Sequence, residues 1–232
     1  MIYQTLAPFY DLLVKDDEAT QMWVDFTQKY AKGTNILELA CGSGEITIAL
    51  AKLGYSMYGT DLSQEMIDEA QEKEGSELVQ WEALDMVQLP LDKKYDSILC
   101  YCDSLNYVVH DQDVLTVFEK VYACLEDDGV FLFDIHSLDR EVEFAEEYIE
   151  EGFLDDVAYQ WTIRHRWKLE ECRVICERNG YSEMDDFHYR NKFLFSSFHC
   201  LSSDRARSFI VCNIPGQSIP VSGKERYWQE YA

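Results

Sequence analysis

One stretch constrains this chain more than any other: Asn35 to Leu50, N-I-L-E-L-A-C-G-S-G-E-I-T-I-A-L. Ile36, Leu37 and Leu39 read as a buried strand, Cys41-Gly42-Ser43-Gly44 as a tight turn, and Glu45 as the opening of a helix. A strand feeding a helix through glycines is the first half of a nucleotide-binding βαβ unit. Glycine serves such a turn twice: the backbone takes angles that a Cβ disfavours, and it must approach a ligand closely. Two familiar uses of the turn meet obstacles. A P-loop needs Gly-Lys-Ser/Thr after the turn, which is absent. A dinucleotide site takes a third glycine where Thr47 stands, and Thr47 crowds helix against strand.

A second strand is expected over Ser56–Thr60, with Asp61 at its end, 19 residues after Gly42. That is close to the ~20-residue offset at which an acidic residue meets the ribose hydroxyls of an adenosine ligand. A carboxylate suits the task because it accepts from both hydroxyls at once. An aspartate ending a strand is commonplace by itself; it gains meaning from the glycine turn before it.

Composition narrows the setting. At 232 residues with 47% apolar side chains and four prolines, the chain fits one globular domain with an elaboration. No run approaches the ~20 apolar residues of a membrane span. The N-terminal M-I-Y-Q-T-L-A-P-F-Y has no basic region or long apolar core, so a signal peptide is not expected there. Eight cysteines without such a signal suggest reduced thiols and a cytoplasmic setting. Cys100-x-Cys102 and Cys172-x3-Cys176 lack a second pair at zinc-finger spacing, so no metal is expected. A net charge of −24 argues against nucleic acid, whose phosphates demand a basic surface. The charge is uneven: residues 1–160 hold nine Lys and Arg against 35 Asp and Glu, whereas residues 161–232 hold 11 against nine.

The rest of the chain reads as alternating elements. Residues 2–31 are expected to be helical, broken at Asp16-Asp17. After the helix Glu45–Leu53 and strand 2, Ser63 caps a helix that turns Met66, Ile67 and Ala70 inward. Strand 3 is expected over Glu77–Trp81, strand 4 over Asp96–Cys102, a helix over Asp113–Leu125 and strand 5 over Val130–Ile135. Tyr101, Cys102, Asp103 and Asn106 stand at the carboxyl end of strand 4, where open α/β sheets bind their ligands, and make the natural wall between cofactor and substrate. Beyond strand 5 the alternation breaks. Glu141–Glu151 reads as an acidic helix, Tyr159–Trp167 and Cys172–Glu177 as paired strands, and Asn179-Gly180 as a hairpin turn. Phe209–Ile214 and Lys224–Tyr231 read as strands 6 and 7.

E-L-A-C-G-S-G resembles the first motif of class I S-adenosylmethionine-dependent methyltransferases, acidic-x-(Gly/Ala)-x-Gly-x-Gly, and Glu38 within the strand suits that pattern. The run C-D-S-L-N-Y is similar to that of small bacterial members with a capping insertion. The likeness covers residues 3–137 and thins afterwards. It implies an α/β fold: a Rossmann-like seven-stranded sheet with strand 7 antiparallel, plus a small antiparallel β-rich lid. The implied division is a cofactor-binding core over 1–140, a lid or substrate insertion over 141–200, and the last core strands over 201–232.

The same resemblance implies S-adenosyl-L-methionine as cofactor. Its site would be drawn from Tyr10, Glu38, Ala40, Cys41, Gly42, Gly44, Asp61, Leu62, Met66, Asp85, Met86 and Cys102, with Asp85 at the adenine and Tyr10 in a segment folding over the ligand. The reaction implied is in-line methyl transfer to a small-molecule acceptor, which asks the protein mainly for alignment; alignment can supply roughly 7–11 kcal/mol. A general base is needed only for an acceptor of high pKa, and Asp103, His136 and His188 are the candidates. His188 sits in M-D-D-F-H-Y-R, similar to a segment that returns toward the site in that group, with a spacing one residue shorter. His110, His165 and His199 read as structural. Tyr159, Trp161 and Trp167 could face a sulfonium or simply pack. A non-catalytic cofactor-binding module and an RNA methyltransferase are the alternatives; the acceptor and the oligomeric state are not legible.

Overall fold

A computed structural model of the chain describes residues 7–136, 148–154, 157–166, 169–178, 181–190, 199–204 and 207–213. Two helices come first, α1 (Ala7–Val14) and α2 (Asp17–Tyr30). Asp16 separates them as the N-cap of α2, its carboxylate accepting from the amides of Glu18 and Ala19. Then β1 (Asn35–Leu39), α3 (Glu45–Lys52), β2 (Ser56–Asp61), α4 (Gln64–Gln71), β3 (Val79–Ala83), β4 (Tyr95–Cys100), α5 (Asp111–Cys124) and β5 (Leu125–His136) alternate. Ser63 caps α4 by accepting from the Met66 amide.

The strands join in one seven-stranded sheet, completed by β10 (His199–Asp204) and β11 (Arg207–Asn213), in the order β10-β11-β5-β4-β1-β2-β3. β3, β2, β1, β4 and β5 run parallel, while β11 lies antiparallel to β5. The chain adds β2 and β3 on one side of β1 and then crosses to β4 on the other. The strand order therefore reverses at β1, and a crevice opens at the carboxyl ends of β1 and β4.

Helices cover both faces, so the central strands are apolar on both sides. On β1, Leu37 and Leu39 pack with α5 residues Val114, Val117 and Val121. Ile36 faces the opposite way, with Trp23 and Val24 of α2 and Ile48 of α3. The period of two continues on β4 and β5: Ile98, Cys100, Phe131 and Phe133 join the α5 side, and Leu99, Tyr101, Val130 and Leu132 the α2–α3 side.

A second sheet is antiparallel throughout, in the order β6 (Tyr148–Leu154), β7 (Val157–Arg166), β8 (Leu169–Arg178), β9 (Tyr181–Arg190). β6 lies against α1, and β9 lies against the short 3-10 turn Ser104–Tyr107 that follows β4.

Several expectations need correction. The acidic helix expected over Glu141–Glu151 gives way at Tyr148 to β6, because Tyr148 and Ile149 find cross-strand partners on β7 at Ile163 and Thr162. The strand expected sixth, Phe209–Ile214, is β11, and it is the antiparallel strand beside β5. Before Phe209–Ile214, where this fold places a helix and L-S-S-D-R-A-R makes a poor one, the chain forms the outer strand β10; its H-C-L-S-S-D is short and serine-rich, a pattern an edge strand tolerates. β10 begins at His199, inside the span assigned to the insertion. Strand 4 ends at Cys100, so Cys102 and Asp103 belong to the loop. The strand expected over Lys224–Tyr231 and the Asn179-Gly180 turn lie outside the described residues.

Trp23 anchors α2 to the sheet. It is fully buried, stacks on Tyr101 with centroids 4.4 Å apart, and the Tyr101 hydroxyl meets Thr27 Oγ1 at 2.9 Å. Trp23→Ala is expected to lower unfolding stability by about 3–5 kcal/mol, read as a reduced urea midpoint at unchanged slope.

Candidate active site

The carboxyl ends of β1 and β4 share a backbone peculiarity. Ala40, Cys102 and Asp103 take positive φ of 54°, 57° and 53°, although none is glycine. Such conformations persist where the surrounding structure enforces them, and they gather at functional sites. Gly42 and Gly44 lie between, at φ 55° and 78°. Their sequence demands differ. A Cβ on Gly44 would come within 2.5 Å of the Trp81 ring, whereas a Cβ on Gly42 would meet nothing within 4 Å. Gly44 is needed for packing; Gly42 leaves open space above the turn, where a ligand can approach the backbone.

That space belongs to a cavity of about 290 Å³. Ala40 and Gly42 form one wall, Asp61, Leu62, Ser63 and Met66 the next, and Leu84, Asp85, Met86 and Val87 a third. Tyr10 of α1 closes it from the N-terminal side. Ser104 and the run Tyr107–His110, with Asp113, close it opposite. Among the described residues, three carboxylates and no Lys or Arg line this cavity. A cavity so furnished favours a ligand that is cationic, with apolar walls for a flat ring.

Asp61 is the best-fixed group in it. One carboxylate oxygen accepts from the Gly42 amide at 2.9 Å, the other from the Ser63 amide at 2.9 Å, and 9% of the residue remains exposed. Burial raises its pKa, and the amides of Ser63, Gly42 and Leu62 pull it back down. Each oxygen keeps a second lone pair, so both can still accept from a diol. Asp85 is the N-cap of the 3-10 turn Met86–Gln88, accepting from the Val87 amide at 2.9 Å.

Glu38 lies deeper. It is 3% exposed and does not reach the cavity lining; Thr47 Oγ1 donates to Oε2 at 2.6 Å. The residue that hinders a dinucleotide reading thus serves as the donor to this carboxyl. Burial pushes the Glu38 pKa up to about 7, the Thr47 bond opposes it, and the Asp61 charge adds to the rise. Burial likewise pushes the Cys41 thiol well up, helped by the charges of Asp61 and Glu38. Burial raises the Tyr10 hydroxyl too, with Cys102, Asp103, Asp61 and Asp11 contributing.

The structure therefore brings Tyr10, Ala40, Gly42, Asp61, Leu62, Met66, Asp85 and Met86 to one cavity, and leaves Glu38, Cys41, Gly44 and Cys102 off its lining. Behind the lining, Glu38 accepts from Thr47 and Gly44 leaves room for the Trp81 ring. Asp103 flanks the lining residue Ser104, and its amide donates to buried Asp134 at 2.9 Å. His136 ends β5 opposite Arg207, and His188 lies on β9 opposite Glu171; their side chains lie outside the described residues. Trp167 lies outside them entirely. The residues Tyr107–His110 and Asp113 were not expected at the site. Their position directly after β4 was the available signal, since that loop must border the crevice.

Known proteins resemble this chain. A family model described as a methyltransferase domain matches residues 36–129. YqeM of Bacillus subtilis (strain 168), assigned as a methyltransferase with no acceptor in its name, is 38% identical over 169 residues, covering 69% of this chain and 66% of its own length. A similarly assigned protein of Geobacillus sp. (strain WCH70) is 32% identical over 170 residues, covering 70% of this chain and 68% of its own. The matches thus span about two thirds of these relatives' length. Among solved structures, an S-adenosylmethionine-dependent methyltransferase from Clostridium acetobutylicum ATCC 824 shares the fold at a TM-score of 0.74 and 23% identity, over 92% of this chain and 99% of its own.

The raised Glu38 pKa fixes a pH dependence. Below pH 4.5 the carboxyl is neutral in folded and unfolded chains; between 4.5 and about 7 only the unfolded chain ionises, so stability falls across that window and levels off above it. Glu38→Gln keeps an acceptor for Thr47 and is expected to flatten this decline, gaining about 1–3 kcal/mol over the parent at pH 8. Urea unfolding across the window checks it; parallel curves would show that Glu38 titrates normally.

Proposed function

The chain belongs to the class I methyltransferase family, and we propose that it transfers a methyl group from S-adenosylmethionine to a small-molecule acceptor by direct in-line displacement. The observation that carries the reading is Asp61: a nearly buried carboxylate, oriented by two backbone amides, on the wall of a cavity above an open glycine. It is placed to accept from a ribose diol. Asp85, with Leu84, Met86 and Val87, supplies a polar edge and apolar faces for an adenine. The bound cofactor would supply an electrophilic methyl on a sulfonium.

The remaining work falls to the chain's own residues. The carboxylates of Asp61, Asp85 and Asp113 favour a cationic ligand in a site where low dielectric strengthens their field. Gly42 lets the backbone approach it. Ser104 and Tyr107–His110 bound the opposite side, the natural seat of the acceptor, and β9 lies against the turn that contains Ser104. We assign the four-stranded sheet β6–β9 to acceptor enclosure and the seven-stranded sheet, with α1 and α2, to cofactor binding. This divides the chain near residue 140 and again near His199. Where the acceptor needs deprotonation, Asp103, His136 and His188 are the groups that this arrangement offers as base. No helix among the described residues is long and apolar enough to cross a membrane, in keeping with a small soluble acceptor.

Two measurements test this. Titration calorimetry with S-adenosylmethionine should give binding at micromolar ligand, and Asp61→Ala should weaken it by about tenfold or more, the scale of a lost charge-assisted hydrogen-bond pair. A screen of amine, hydroxyl and thiol acceptors should yield S-adenosylhomocysteine from at least one class. Binding without turnover on any acceptor would replace the transferase with a binding module.

A further inference from the structure

The glycine turn is gripped from outside by charged side chains that the cavity does not use. Ser43 lies inside the turn and is 4% exposed, and its hydroxyl donates to Asp11 Oδ1 of α1 at 2.6 Å. The other oxygen of Asp11 pairs with Lys73 Nζ at 2.5 Å. Lys73 follows α4 and also holds Glu45 Oε1 at 2.6 Å, at the first residue of α3. Lys15, just past α1, reaches the other oxygen of Glu45 at 3.2 Å. The side chains of Lys73, Glu45 and Asp11 are 21%, 26% and 33% exposed, so the network is partly shielded from water. Four segments meet there: α1, the turn, the start of α3 and the end of α4.

α1 lies against α4 and β6 and buries little of its own surface. It has eight residues, of which only Ala7 is buried, and Leu12 is 62% exposed. A helix shorter than ~12–15 residues is marginal in water by itself, so its position depends on what docks it. Tyr10, the residue beside Asp11, is its contribution to the cavity wall. The residue that grips the turn and the residue that closes the cavity are thus neighbours on one short helix.

We propose that Asp11 and Lys73, with Ser43 and Glu45, form a latch that holds α1 and its Tyr10 across the cofactor cavity, so that opening of this ion pair sets how fast the cofactor leaves. The inference rests on the cofactor reading above. Asp11 and Lys73 are positioning residues in it: they act on the ligand through Tyr10. α1 also lies against β6, so the latch fixes the joint between the glycine turn and the second sheet.

The test is the release rate of radiolabelled S-adenosylhomocysteine, chased with excess unlabelled compound. Lys73→Met and Asp11→Asn are expected to release it about fivefold faster than the parent, the scale of a partly shielded ion pair. Lys73→Arg should restore the slow rate, because the charge returns. Lys29→Met, an equal loss of positive charge on the surface of α2, should leave it slow. In the parent, raising salt from about 0.05 to about 0.5 M should speed release, since screening weakens partly exposed pairs. This arm needs no variant to fold. Release at the parent rate in both variants, or in the parent at all salt concentrations, overturns the latch alone. A parent protein that binds no S-adenosylhomocysteine overturns the latch and the methyltransferase reading together.

Discussion

The site depends on the hydrogen bond from the Gly42 amide to Asp61 Oδ2, 2.9 Å long. It joins the turn after β1 to the end of β2, and the second Asp61 oxygen continues to Ser63, the cap of α4. One carboxylate thereby fixes the relative position of two strand ends and two helix starts. The turn can rely on it because Cys41 already donates its amide to Thr60 O at 2.9 Å, so β1 and β2 stay paired up to the bend. Gly42 is free to point its Cα at solvent only because the chain on either side is held in this way.

The same arrangement concentrates like charges. Glu38, Asp61 and Asp134 lie in or beside one water-poor region, with the thiols of Cys41 and Cys100 among them. Folding tolerates this in two ways. Amide donors oppose the rise that burial gives the Asp61 pKa, whereas Glu38 has a single hydroxyl donor, too little to offset its burial, and is pushed up to about 7. A cation bound above the turn would relieve the remaining repulsion, so the site has an electrostatic preference for a positive ligand. That preference requires no lysine or arginine in the lining, which matches what the described residues show.

The cofactor half of the chain was legible in the sequence because local chemistry dictates it. Gly42 and Gly44 announce positive φ, Asp61 stands at the required offset, and Ser63 reads as a cap without any tertiary knowledge. Alternation of strand and helix makes β1 to β5 a parallel sheet, while their order rests on pairing that alternation leaves open. The later strands were misassigned because their identity rests on pairing partners rather than on pattern. β10 has too few apolar residues to declare itself, and β6 is acidic chain that becomes strand only opposite β7. Glu38, expected among the cofactor residues, lies buried behind the lining and bonded to Thr47, a placement that motif spacing does not encode. Asp11 and Lys73 lie 62 positions apart in sequence and carry no motif at all.

These two levels of legibility mirror two kinds of work. Residues that touch an invariant ligand must satisfy fixed local geometry, so they recur at fixed spacings near the turn. Residues that enclose a variable acceptor answer only to that acceptor, and the assignment proposed above draws them from the loop Ser104–His110 and from a second sheet built by long-range pairing. The charge is uneven along the chain, with 11 of the 20 basic residues in residues 161–232. α1, pinned by Asp11 and lying against β6, and the Ser104–Tyr107 turn, lying against β9, join the second sheet to the core.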